Sequence, residues 1–545
     1  MVNDNRKQAS LSRRDFIKGA VAGAAVAAGG TVLGGVAGPA NAANVTVLGN
    51  SPAATATTTK PECAWSRDLA LVNGQFVDER GIIASAVAIR DGRIAEIGRH
   101  AKAIGTCTQT INLRGRTVIP GLIDSSVHFT RAGTNPGYET RWIETAFSIA
   151  ELQQVIADRA KTVPEGPDRF ITAMGGWSQS QFAEGRLPTL AELDAATSTH
   201  GVYLNGRTNS VGAAFFAGFG ISVDGVTGQV SDANAATNVL RSIQTFEDKV
   251  RGTADIIAFA AANGLTSCHD PSNLTVQPDD YAVMNTLYHR SGRSLDVRMR
   301  HYRYFATTNL PALVAYMDPI FREAGDDTYR INGVGEQIGS DNDDLLENMR
   351  AVARAGWRCQ QHFSDASRQV PFFKIVGTEF DISELRWSYA HPGVLTAQQI
   401  EDLKSVGVGV CISNGPFRTF VDSGIQAGTM TDATNVAPLS PWVKFYYMLT
   451  GKNQAGFITG NVTNVGQQIT RLEALRLYTI GSAWFSNEEE ELGSFEIGKL
   501  ADLAVLSDDY LTVSDDRILK IKSVLTLQGG RVVHASGEFV GLAGT

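Results

Sequence analysis

The sequence predicts an α/β protein whose centre is a (β/α)8 barrel of the TIM type and whose two ends combine into a small β-sandwich. Two observations carry that prediction. Eight apolar, strand-like runs recur between residues 119 and 489 with helical or loop segments between them. Short alternating apolar segments, broken by glycine turns, appear near the N-terminus and again at the C-terminus. At 545 residues the chain exceeds one ordinary domain and suffices for a large barrel with a second module.

The first element is a leader. Residues 12–18 read Ser-Arg-Arg-Asp-Phe-Ile-Lys, an Ala/Gly/Val stretch follows from Gly19, and Ala40-Asn41-Ala42 closes it. A basic segment, a weakly hydrophobic core and small residues at a peptidase site make residues 1–42 a signal peptide, and the paired arginines resemble the twin-arginine type. Its glycines and cleavage-like end argue against a stable membrane anchor. The expectation is an exported protein, periplasmic or secreted, carried by the twin-arginine export machinery. Residues 43–62, rich in Ala, Thr and Pro, read as a flexible spacer.

The formal net charge is −8, and the leader holds five basic against two acidic side chains, so the exported chain stands near −11. That balance disfavours nucleic acid or an anionic membrane surface as partner and favours a small-molecule substrate. No protein partner is specified, and a homo-oligomer stays open. The five cysteines (63, 107, 268, 359 and 411) are scattered and odd in number, which predicts neither a disulfide framework nor a thiolate zinc site. Cys268, Cys359 and Cys411 sit in apolar runs and read as core.

Residues 63–118 and 490–545 form the expected composite sandwich. LALVNGQFV, AVAIRDGRIAEIG and TINLRGRTVI alternate and turn at Asn-Gly, Asp-Gly and Arg-Gly; GKLADLAVLSDD and SVLTLQGGRVVHASGEFV repeat the pattern at the other end. Residues 119–489 hold the barrel, with strands in VIPGLIDSSVHF, GLTSCHD, DVRMRHYRYF, RINGVGEQIG, WRCQQHF, LRWSYAH, GVGVCIS and SGIQAGTMTDA. The first gap, about 130–264, is far longer than one helix and predicts an inserted sub-domain over the barrel mouth. Within it Trp177, Phe182 and Arg186 are candidate substrate contacts, with buried packing as the alternative for each.

Several strands end in residues that bind metal or move protons: His128, Glu336, His362, His391 and Asp432. The intervals of 26, 29 and 41 residues between the last four suit one, one and two strand–helix units, so the five converge at one mouth. Each alone has a plainer reading: a strand-end histidine is often a packing residue, and Asp432 could cap the next helix. Together they predict a metal centre. His269 and His301 fall on the second and third strands with little weight as ligands. His100, His200, His289 and His534 lie in polar, surface-like contexts.

These segments resemble the amidohydrolase superfamily, specifically the exported YtcJ-like branch of amidohydrolase-3 proteins. The resemblance rests on TVIPGLIDS-V-HF, LVNGQFVD, IRDGRIAEIG, GGW and EALRLYTIGSAWF…LGSFEIGKLADLAVLSDD, and it covers nearly everything after the leader. It implies a metal-dependent hydrolase, usually of amide-like C–N bonds. Carried over, the family's first-strand His-x-His falls on Ser126 and His128, its later histidines on His362 and His391, and its eighth-strand aspartate on Asp432. The fourth-strand position, often a carbamylated lysine, holds no lysine; Glu336 is its nearest carboxylate.

The two departures differ in weight. Glutamate keeps an anionic oxygen ligand, whereas a serine hydroxyl is a poor zinc ligand beside imidazole. Glu336, His362 and His391 remain a three-ligand set for one divalent ion, zinc by composition, with His128 completing the shell or contacting substrate. The expected chemistry is hydrolysis by metal-activated water, with Asp432 as general base and then acid. Two alternatives stand: a binding protein of the same fold disabled by Ser126, and an esterase or lactonase on the same site.

Overall fold

The computed structural model describes residues 68–100, 107–271, 278–303, 310–339, 343–434, 436–452 and 465–543. The expected leader and spacer, and Cys63, lie outside the described residues.

Eight parallel strands fall in the eight runs named above. They are β1 (Leu122–Asp124), β2 (Leu265–Asp270), β3 (Arg298–Arg303), β4 (Tyr329–Val334), β5 (Gln360–His362), β6 (Ser388–Ala390), β7 (Gly409–Ile412) and β8 (Ala427–Thr429). Hydrogen bonding arranges them as two parallel quartets, β1 to β4 and β5 to β8. The quartets touch at both edges: Val334 bridges Cys359, and Ser125 N–H donates to the Thr429 carbonyl at 3.1 Å. Helices between the strands cover the outside, and their apolar faces join the strands in the largest hydrophobic cluster, with Val334, Leu345, Trp387, Val410 and Trp442 all buried. Parallel strands with covered faces read as continuous apolar runs, which is why the sequence displays them.

The chain ends meet in a six-stranded sheet in which Leu503–Leu506 pairs antiparallel with Thr117–Pro120. A four-stranded sheet, Arg93–Gly98, Ala86–Arg90, Leu69–Val72 and Gln109–Asn112 in that order, shares a second cluster with it through Leu71, Phe76, Val87, Leu503 and Leu525. Asp91 and Gly92 join two of these strands at φ +50° and +78°, the backbone that a two-residue hairpin turn requires.

The long first gap folds around a four-stranded sheet, Tyr138–Glu139, Phe170–Thr172, Gly201–Leu204 and Arg207–Thr208, with two hydrophobic clusters of its own. The helix Phe246–Ala262 lies inside the range expected for this insertion, yet Ile256, Ile257 and Phe259 pack in the main cluster. The separately packed part therefore ends before that helix. His200 is buried here rather than at a polar surface, its Nε2–H donating to the Val163 carbonyl at 3.0 Å. Its sequence neighbours are polar, but a tertiary carbonyl satisfies the ring.

Cys268, Cys359 and Cys411 are buried free thiols. Cys107 is disulfide-bonded, which the scattered spacing did not announce, because a single bridge leaves no pattern to read. Among the described residues no helix is long and apolar enough to cross a membrane.

Candidate metal centre

Five strand-end residues meet at the C-terminal end of the parallel strands. Glu336 follows β4, and Gly335 before it holds φ +138°, where a side chain would bring Cβ within 2.2 Å of the Gln360 carbonyl oxygen. Glycine is the residue that permits this approach. Glu336 N–H donates to the Pro271 carbonyl at 3.1 Å and its own carbonyl accepts His362 N–H at 2.6 Å, which ties the carboxylate between β2 and β5.

Glu336 Oε1 lies 2.7 Å from both His362 Nδ1 and His391 Nε2. Glu336 Oε2 lies 3.6 Å from His128 Nε2, which in turn stands 3.2 Å from Asp432 Oδ1. Two donor sets therefore share one carboxylate: Glu336, His362 and His391, and His128, Glu336 and Asp432, with each set's donor atoms within 4.8 Å of one another. Two imidazoles with one carboxylate, close enough to share an ion, match the donor set of catalytic zinc sites.

The electrostatics also suit a cation. Burial disfavours charge on His128, but its hydrogen bond to Asp432 and the Glu336 and Asp432 charges outweigh it and push the imidazole up to about 9. Burial likewise opposes the Glu336 charge, yet the hydrogen bonds from His362 and His391 hold it well below the usual carboxylate range. Each shift favours positive charge among these carboxylates.

Two of the five sit in strained backbone. His391 has φ +56° and Asp432 φ +59°, a left-handed conformation that non-glycine residues rarely hold. His391 N–H is anchored on the Cys411 carbonyl at 3.0 Å and Asp432 N–H on the Ser126 carbonyl at 3.2 Å. Such strain costs about 1–3 kcal/mol per residue and persists where surrounding contacts impose it, often at functional sites.

Of the three candidate substrate contacts, Trp177 and Phe182 pack together in one cluster of the insertion, and Arg186 lies on its surface. Trp177 is buried against Phe182 and Ile171 in the core of the insertion, its indole N–H donating to the Ala173 carbonyl at 3.2 Å. Arg186 is exposed and forms a two-pronged ion pair with Glu192, at 2.7 Å for each nitrogen. Aromatic and basic residues near a mouth attract such an assignment; here one fills a local core and the other supports a helix start.

A profile of the Amidohydrolase family matches residues 109–534. The chain belongs to the amidohydrolase family. It is 28% identical over 143 residues to the N-substituted formamide deformylase of Arthrobacter pascens, a stretch covering 25% of this chain and 26% of that one. The chain spans about a quarter of the length of the first curated relatives it matches. Among solved structures it resembles a metal-dependent hydrolase of Pyrococcus furiosus, with TM-score 0.53, 20% identity, and coverage of 82% of this chain and 100% of that one. It also resembles the zinc complex of atrazine chlorohydrolase TrzN from Arthrobacter aurescens, with TM-score 0.51, 14% identity, and coverage of 86% and 95%. At these identities the two structures establish a shared barrel-like α/β fold.

Further polar residues that strand-end reasoning missed border this centre in the amidohydrolase chain. Ser413, which closes the β7 run, has Oγ 3.1 Å from His391 Nδ1. Lys444 is buried on the helix Pro441–Thr450 and donates to the Ser413 carbonyl at 2.6 Å. A lysine inside the apolar run Trp-Val-Lys-Phe-Tyr-Tyr was the available signal. Asp270, at the end of β2, accepts from Thr130 N–H at 2.7 Å and adds to the negative field at His128.

Proposed function

We propose that this chain is an exported, metal-dependent amidohydrolase that cleaves an amide-like C–N bond in a small molecule. The observation that carries this reading is the convergence of Glu336, His362 and His391 on one point, with Asp432 beside them. The similarity to an N-substituted formamide deformylase supports a C–N bond as target.

Glu336, His362 and His391 would hold one divalent ion, zinc by donor chemistry, and His128 would complete the set from the Asp432 side. A divalent ion held there would supply polarisation of a substrate carbonyl and a water of lowered pKa, toward ~7. Asp432, its side chain 22% exposed, takes the proton from the attacking water and returns it to the leaving nitrogen as the C–N bond breaks. Ser413 orients the His391 ring through Nδ1, the role that outer hydrogen bonds play in metal sites.

We read the two parallel quartets as one closed (β/α)8 barrel, supported by their contacts at both edges. The sheets built from 63–118 and 490–545 are read as one composite sandwich, supported by their shared cluster. Export by the twin-arginine machinery is supported by Arg13, Arg14 and the apolar stretch behind them. A disulfide at Cys107 suits an oxidising compartment.

Metal content per chain, measured on protein purified without chelator, tests the reading alongside a screen of amides and formamides. About one equivalent of zinc, and turnover lost to chelator and regained with zinc, is the expected result. Neither bound metal nor turnover after zinc is added would overturn it and favour the binding-protein alternative.

A further inference from the structure

The Gly-Gly-Trp segment of the insertion has no role in the reading above, and Trp177 packs in the insertion's own core. The two glycines answer to Arg141. Its side chain is 1% exposed, and its guanidinium reaches four acceptors. Nε donates to Glu144 Oε1 at 2.7 Å and Nη1 to Glu139 Oε1 at 2.8 Å. Nη2 donates to two carbonyls, Gly175 at 2.8 Å and Thr434 at 3.1 Å.

These acceptors belong to different pieces of the molecule. Glu139 ends a strand of the insertion's sheet and also accepts Met174 N–H at 3.1 Å, while Glu144 accepts Ser440 N–H at 2.8 Å. Gly176 holds φ +77°, and a Cβ there would lie 1.9 Å from Arg141 Nη2. The double glycine is thus what lets the turn close over the guanidinium. Thr434 stands two residues after Asp432, and the Ala433 carbonyl between them accepts His128 N–H at 2.9 Å. One buried cation therefore joins the cover to the segment that carries Asp432.

We propose that Arg141 is the positioning residue for Asp432, pinning the Thr434 carbonyl against the Gly175-Gly176 turn so that the Asp432 carboxylate stays aimed at the metal centre. The role rests on the reading of Asp432 as proton carrier. A planar fork that fills four acceptors is not replaced by lysine, which offers one point of charge. A neutral link would not bind two carboxylates and two carbonyls at once.

The test uses full-length holoprotein and Arg141→Lys, with amide hydrogen exchange, zinc content and steady-state kinetics measured on both. Exchange at Asp432 and Ala433 is expected to rise at least tenfold, with β7 (Gly409–Ile412) unchanged and zinc retained. On an amide substrate, kcat is expected to fall 10- to 100-fold with KM within about twofold. Unchanged exchange at 432–433, or a uniform rise throughout the barrel, overturns the proposal. Should Arg141→Lys fail to fold, Glu144→Gln keeps the shape and weakens the hold on Arg141, and a two- to fivefold local rise in exchange is expected. No local rise in that variant overturns the proposal. If the wild-type protein neither binds zinc nor turns over amides, the hydrolase reading falls by itself, and the exchange arm still decides the clamp.

Discussion

Ser126 Oγ donates to Gln360 Oε1 at 3.0 Å, a buried bond between side chains 234 residues apart. The residue in the first-strand ligand position is thus engaged with β5 and not with the histidines of the centre. Gln360 in turn donates to the Ser125 carbonyl at 3.3 Å, so the pair behaves as an internal tie.

Ser126→Ala should therefore change stability and not metal binding. It leaves a buried amide oxygen without its donor, a loss of about 1–3 kcal/mol. Urea unfolding with zinc analysis checks this, and lost zinc would place Ser126 in the metal shell after all.

Asp432→Asn keeps the shape and removes the proton acceptor. Turnover should drop by ~10²–10⁴ with zinc retained. Activity close to wild type would remove Asp432 from the proton path.

Zinc should stabilise the fold as any ligand of the native state does, by about 2.7 kcal/mol at a hundredfold excess over Kd. Chelation should lower the melting temperature of wild type, while His391→Ala, lacking one donor, should show little further shift. An equal shift in both would mean that zinc binds elsewhere.

Lys444 carries a pH signature. Burial pushes its ammonium down to about 8, only partly offset by Asp124 and Asp432. Between pH 8 and the ordinary lysine range the unfolded chain binds the proton that the native state has released, so stability from this group rises with pH, by up to about 1.4 kcal/mol per unit. The difference between wild type and Lys444→Met, followed by unfolding from pH 7.5 to 10, should show this slope; parallel curves would rule it out.

His269 predicts the opposite limb. Burial, aided by nearby Arg300, Arg358 and Arg330, pushes it down to about 3, and neither ring nitrogen has a partner among the described residues. As pH falls from 6.5 toward 3, the unfolded chain gains a proton that the native state refuses, so stability is lost in that window. Between pH 8 and 5 wild type should lose about 2 kcal/mol more than His269→Phe. Equal losses would mean that the native ring is charged.

The sequence by itself determined the eight strands and the residues at their ends. A covered parallel strand is apolar throughout, and its polar end residue breaks that run at the mouth, so Glu336, His362, His391 and Asp432 stand out locally. Only the tertiary structure decided which polar partners meet. Ser126 with Gln360, Lys444 with Ser413, and Arg141 with Thr434, 293 residues away, leave no periodic trace, because such bonds depend on three-dimensional placement and not on spacing. The same holds for Trp177, whose sequence neighbourhood suits a binding wall or a local core equally well, until the fold surrounds it with Phe182 and Ile171.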